Sequence, residues 1–124
     1  MTPAAPDGRS IGYDEVLPLL VSACPSFPAS NEARQVDEAD GEFLHVGHFV
    51  AHLIALLARH DAGAFPAVFA TVERVLVEGD DEARNLVQAG FLDELGRAQS
   101  YAGSGVAPQG FLPWLGDRTR QAWS

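Results

Sequence analysis

The chain is predicted to be all-α: a bundle or short α-solenoid of four to five helices, finished by a short C-terminal docking helix. Three observations predict this. Apolar residues recur at the three-to-four spacing of helices, and no run of strict alternation suggests a strand. Proline, glycine and aspartate divide the sequence into stretches of helical length. The 124 residues, 47% of them hydrophobic, suffice for one core without staples.

Residues 1–12, with Pro3, Pro6, Gly8 and Gly12, read as a flexible lead-in, and 13–124 as a single helical domain. A first helix is expected from Tyr13 to Ala23. Asp14 and Glu15 suit its start, Val16, Leu17, Leu20 and Val21 form a stripe, and Pro25 and Pro28 end it. The acidic stretch Ser30–Gly41 reads as a polar loop or a weak exposed helix. A second helix, Glu42 to His60, is apolar around most of its circumference, as expected of a central helix packed on several sides.

A turn at Asp61-Ala62-Gly63 leads to an amphipathic third helix, Phe65 to Glu78, with Pro66 in its first turn and Glu73, Arg74 and Glu78 off the apolar face. Gly79 stops it and Asp80 caps a fourth helix running to Ala98, in which Gly90 permits close approach of a neighbour. Glu94 projects onto the apolar face of this helix, beside Val87, Gly90 and Phe91, and needs a partner such as an arginine. After a glycine-rich loop, Phe111, Leu112, Trp114 and Leu115 cluster. Asp117 then caps a last helix ending at Trp123, whose aromatic tail docks on the bundle. The short links between the second, third and fourth helices make these neighbours antiparallel.

The charge is lopsided: 17 acidic residues against 8 arginines and no lysine give a formal charge of −9. That balance disfavours nucleic acid and anionic membrane surfaces, and favours basic proteins or cations. No span is long enough for a bilayer and the first ten residues lack the marks of a signal peptide, so the cytoplasm is the expected location. Cys24 is the only cysteine, which excludes an intramolecular disulfide and a cysteine-based zinc site.

Two sets of residues carry the functional expectations. The acidic residues Glu32, Asp37, Glu38 and Asp40, with Glu78, Asp80, Asp81 and Glu82, are expected to steer a basic protein partner. His45, His48 and His52 fall within about 60° of one another on the second helix and form the candidate metal ligands of an alternative reading, a metal-binding protein or metal-dependent enzyme. No HExxH motif, calcium loop, Walker lysine or serine–histidine–aspartate order is recognisable, so no catalytic residue and no cofactor is assigned.

The segment Val77-Glu78-Gly79-Asp80-Asp81-Glu82-Ala83-Arg84-Asn85-Leu86-Val87, then Gly90-Phe91-Leu92-Asp93-Glu94-Leu95, is distinctive, as is the ending Phe111-Leu112-Pro113-Trp114-Leu115-Gly116-Asp117-Arg118-Thr119-Arg120-Gln121-Ala122-Trp123. From about residue 14 onward the chain resembles a family of small uncharacterised bacterial helical proteins, some of which look like immunity proteins of polymorphic toxin systems. Gly116-Asp117 stands where the family leads one to expect Gly-Pro. The resemblance implies a protein-binding, immunity-like or antitoxin-like role with a basic toxin domain as partner, and carries no site residues.

Overall fold

The computed structural model describes residues 10–37 and 41–123. The described residues are helical with one isolated β-bridge and no strand. In chain order they form α1 (Tyr13–Ala23), α2 (Asn31–Arg34), α3 (Glu42–Ala58), α4 (Phe65–Glu78), α5 (Asp81–Asn85), a π-wound segment (Leu86–Leu92), α6 (Asp93–Gly96) and α7 (Asp117–Trp123). Short 3₁₀ turns cover Phe27–Ala29, Ala98–Tyr101 and Pro108–Trp114.

The core is a single cluster, and α3 runs through it with Val46, Phe49, Val50, Leu53, Ile54 and Leu56 buried. Its aromatic spine passes from Phe27 to Phe49 (5.2 Å between ring centroids), Phe91 (6.3 Å), Phe69 (6.0 Å) and Phe111 (5.7 Å). Each such ring contributes about 1.5–3 kcal/mol by leaving water.

The helix ends follow local chemistry. The Asp80 carboxylate accepts the Ala83 N–H at 2.8 Å and so caps α5, as its position predicts. At the other end of α3, Asp61 N–H donates to Leu56 O and His60 N–H to Leu57 O, the paired closure of a Schellman turn. His60 takes the left-handed conformation (φ 60°) that this closure needs.

Some expectations change. Ile11, near the end of the expected lead-in, is buried and bridges to Gly79: its N–H donates to Glu78 O (3.0 Å) and its carbonyl accepts from Asp80 N–H (2.9 Å). Residues 1–9 lie outside the described residues. α3 ends at Ala58, two residues early, while the described part of the acidic stretch holds the single turn of α2, within the loop-or-weak-helix expectation.

The fourth helix is not wound as α throughout. Leu86 and Leu95 lie nine residues apart and would face about 180° away from one another on a 3.6-residue helix, yet both are fully buried. The wider π turns bring them to one side, with Asp93 N–H reaching five residues back to Gln88 O. The same change of phase carries Glu94 to the edge of the apolar face. There it accepts from Ser100 Oγ at 2.8 Å and lies 3.7 Å from Arg97. Gly90 packs against α3 as expected: a Cβ there would stand 3.1 Å from Phe43 Cδ1.

The last correction concerns α7. Asp117 lies inside the helix, and the capping oxygens come from Glu73 of α4. Glu73 Oε2 accepts the Arg118 N–H (3.0 Å), and Oε1 accepts both the Thr119 N–H (3.0 Å) and its hydroxyl (2.9 Å). Burial pushes the Glu73 carboxyl up, but these donors and the nearby Arg118 charge outweigh it and hold the group below the usual carboxylate range. At the far end of α7, Trp123 Nε1–H donates to Leu92 O at 3.0 Å, and the Gly96 position leaves room for the indole.

Candidate functional site

The N-termini of α1, α3 and α5 meet at one end of the bundle. The Ile11–Gly79 bridge ties the start of α1 to the corner before α5. Tyr13 reports the third neighbour: its phenol is pushed up by burial first, then by the carboxylates of Glu42 and Glu82. Asp14, Glu15, Glu42, Asp80, Asp81 and Glu82 therefore share this end. Carboxylates at helix N-termini are favoured by the unpaired N–H groups and the helix dipole, which is the local reason they collect there. Beside them Phe43 is 41% exposed and Leu44 57% exposed, an apolar pair at the opening turn of α3.

The acidic residues expected to steer a partner are not all gathered at this end. Asp80, Asp81 and Glu82 belong to it. Glu78 is exposed and pairs with Arg74 at 3.3 Å. Asp37 is exposed, and its carbonyl oxygen lies 3.2 Å from His45 Nε2. Glu38 and Asp40 lie outside the described residues. Glu32 turns inward to His52.

The histidine strip is likewise divided by its surroundings. His45 reaches back to the Asp37 backbone, His48 is half-buried, and His52 is 3% exposed with both ring nitrogens engaged. Sharing a helix face does not make the three converge: among the described residues no group of three histidine, cysteine, aspartate or glutamate side chains is placed to hold a metal ion. Of the expected metal ligands His45, His48 and His52, His52 has both ring nitrogens hydrogen-bonded to protein side chains.

His52 instead joins three segments. Its Nε2 lies 2.8 Å from Ser26 Oγ, and its Nδ1 lies 2.9 Å from Glu32 Oε1. An ionised carboxylate only accepts, so Nδ1 carries a proton toward Glu32, and whenever the ring is neutral Nε2 is free to accept from the Ser26 hydroxyl. The sequence builds this arrangement locally. Phe27 is buried edge-on against Phe49 and His52 (5.2 and 5.7 Å), which pins the turn after α1 onto α3 and sets Ser26 over the imidazole. Ser30 donates to Phe27 O (2.6 Å) and accepts the Ala33 N–H (3.0 Å), starting α2 where Glu32 faces inward.

Ser26 itself is exposed, and the three residues line an open cleft of about 310 Å³ with Asn31 and Arg59. The chain carboxylate–imidazole–hydroxyl, ending at a hydroxyl that solvent reaches, is an arrangement that can move a proton. Roomier clefts of about 410 and 600 Å³ flank Trp123, where the C-terminal segment docks. The charged pair in the first of them, Asp93 and Arg97, is already closed at 2.8 Å.

Sequence reasoning missed Ser26 and the partnership of Glu32 with His52. Ser26 is 26 residues from His52 and Glu32 is 20, and no local spacing links them. The one usable signal is Phe27 between two prolines, an apolar anchor inside a turn.

Among the described residues no helix is long and apolar enough to cross a membrane. No curated protein and no solved structure matches the chain. The sequence model of a family described as a domain of unknown function, DUF7674, matches residues 17–124, and the chain belongs to that family.

Proposed function

We propose that this member of the family is a cytoplasmic binding protein of the immunity or antitoxin kind, which neutralises a basic partner protein through the acidic end of its bundle. The observation that carries the reading is the meeting of three helix N-termini, with Glu42, Asp80, Asp81 and Glu82 around the exposed pair Phe43 and Leu44. Asp81 pairs with Arg84 on its own helix, and Glu42, Asp80 and Glu82 across such a surface raise the rate of encounter with a cationic domain. Large apolar side chains at its centre supply contact energy that charge alone does not. The overall charge of −9 acts in the same direction.

The test is capture of the tagged protein from its native host, with mass spectrometry of what co-elutes, repeated with Glu42→Lys/Glu82→Lys and with Phe43→Ala. The reading expects one basic protein in stoichiometric amount, released by high salt, lost with the charge reversal and weakened at least tenfold by Phe43→Ala. A partner that both variants retain, or an association insensitive to salt, contradicts it.

A further inference from the structure

We propose that Ser26, His52 and Glu32 form a nucleophilic site that hydrolyses small carboxylic esters. The inference goes beyond the binding reading and is independent of it. His52 lies ten residues along α3 from Glu42, about 15 Å from the acidic end.

The geometry carries the proposal. Ser26 Oγ meets His52 Nε2 at 2.8 Å, and His52 Nδ1 meets Glu32 Oε1 at 2.9 Å, so the hydroxyl and the carboxylate hold opposite nitrogens of one ring. That is the order in which a general base activates a serine while an acid fixes its tautomer, and it is recognised by geometry whatever the fold. The ring is buried and held edge-on by Phe27, whereas the serine is exposed. Nucleophile and base therefore differ in access as the reaction requires: substrate reaches the oxygen, and solvent is kept from the imidazole. Arg59 lines the same cleft and is the cation available there to a developing oxyanion. A volume of about 310 Å³ suits a short acyl group better than a long chain.

The chemistry balances with water as the only co-reactant. Ser26 Oγ bonds to the acyl carbon while its proton passes to Nε2, and the carbonyl electrons move to oxygen. The tetrahedral species collapses, the bond to the alcohol oxygen breaks, and the departing alkoxide takes the proton from Nε2. Water then repeats the sequence on the Ser26 ester, releasing the carboxylic acid and restoring the hydroxyl. Ser26 and His52 are the catalytic residues, and Glu32 is a positioning residue.

The test uses the whole protein with p-nitrophenyl acetate and, separately, an alkyl fluorophosphonate read by intact-mass and peptide mass spectrometry. The proposal expects one phosphonyl group per chain on Ser26. It also expects ester turnover that Ser26→Ala removes and that Glu32→Gln lowers by on the order of 10²–10⁴-fold. Glu32→Asp restores more turnover than Glu32→Gln, a rescue that a purely structural contact would not give. Circular dichroism of each variant separates lost chemistry from lost fold. A wild-type protein that is not labelled, that is labelled elsewhere, or that turns ester over no faster than Ser26→Ala overturns the proposal.

Discussion

Glu73 and Glu32 are both half-buried carboxylates on helices, and both bond to residues far away in sequence. Glu73 takes three donors, all from the start of α7, and those bonds close the bundle over the C-terminal helix. Glu32 takes the His52 ring as donor, and the chain of hydrogen bonds continues through the imidazole to an exposed hydroxyl. The first carboxylate serves only as an anchor. The second passes its influence on to a group that a ligand can reach. Burial and residue type are alike in the two places, so what separates a structural carboxylate from a candidate functional one is where its hydrogen-bond chain ends.

That comparison predicts unequal costs. Glu73→Ala should have the largest effect, about 2–3 kcal/mol in urea unfolding, because it removes three bonds to a charged acceptor and leaves α7 without a cap. Amide hydrogen exchange should quicken in residues 117–123 before it does in α3. A loss spread evenly over the molecule would break the distinction.

Gly116→Ala should cost somewhat less, about 1–3 kcal/mol, since a Cβ there would stand 2.5 Å from Glu73 Oε1 and push the carboxylate off its donors. Combining it with Glu73→Ala should give less than the sum of the two, because both act on one contact.

Acid provides a third handle. The Glu73 carboxyl lies below its unfolded value, so its contribution is fully present above the unfolded pKa. It is lost as pH falls through the lower folded pKa. Acid titration of stability should therefore be shallower in Glu73→Gln than in the wild type over that range, and identical curves would remove Glu73 from the account.

Glu32→Gln should have the smallest effect on stability, about 1 kcal/mol, because a single hydrogen bond changes. If it destabilises as much as Glu73→Ala, Glu32 is an anchor too and the contrast fails.

Much of the fold was legible because its signals are local. Pro25, Pro66, Gly79 and Asp80 mark ends that the structure keeps, and the apolar period gives α1 and α4 their bounds and α3 its central position. The fourth helix was misread where winding, rather than composition, decides which side chains face in. No residue between Leu86 and Leu92 announces π turns, and Glu94 lies at the edge of the apolar face rather than within it for that reason. The cap on α7 escaped because its oxygens come from 45 residues away. The histidines were visible as a strip on one helix, but what each one meets depends on the segment folded over it. For His52 that segment is held by Phe27 and Ser30, whose roles emerge only once the turn after α1 lies on α3.

The most direct test of the relay is the tautomer of His52, read from ring ¹⁵N correlations in the neutral state. The account predicts the proton on Nδ1, facing Glu32, and an unprotonated Nε2 accepting from Ser26. A neutral ring carrying its proton on Nε2 would contradict it, because that imidazole could not accept the proton of Ser26.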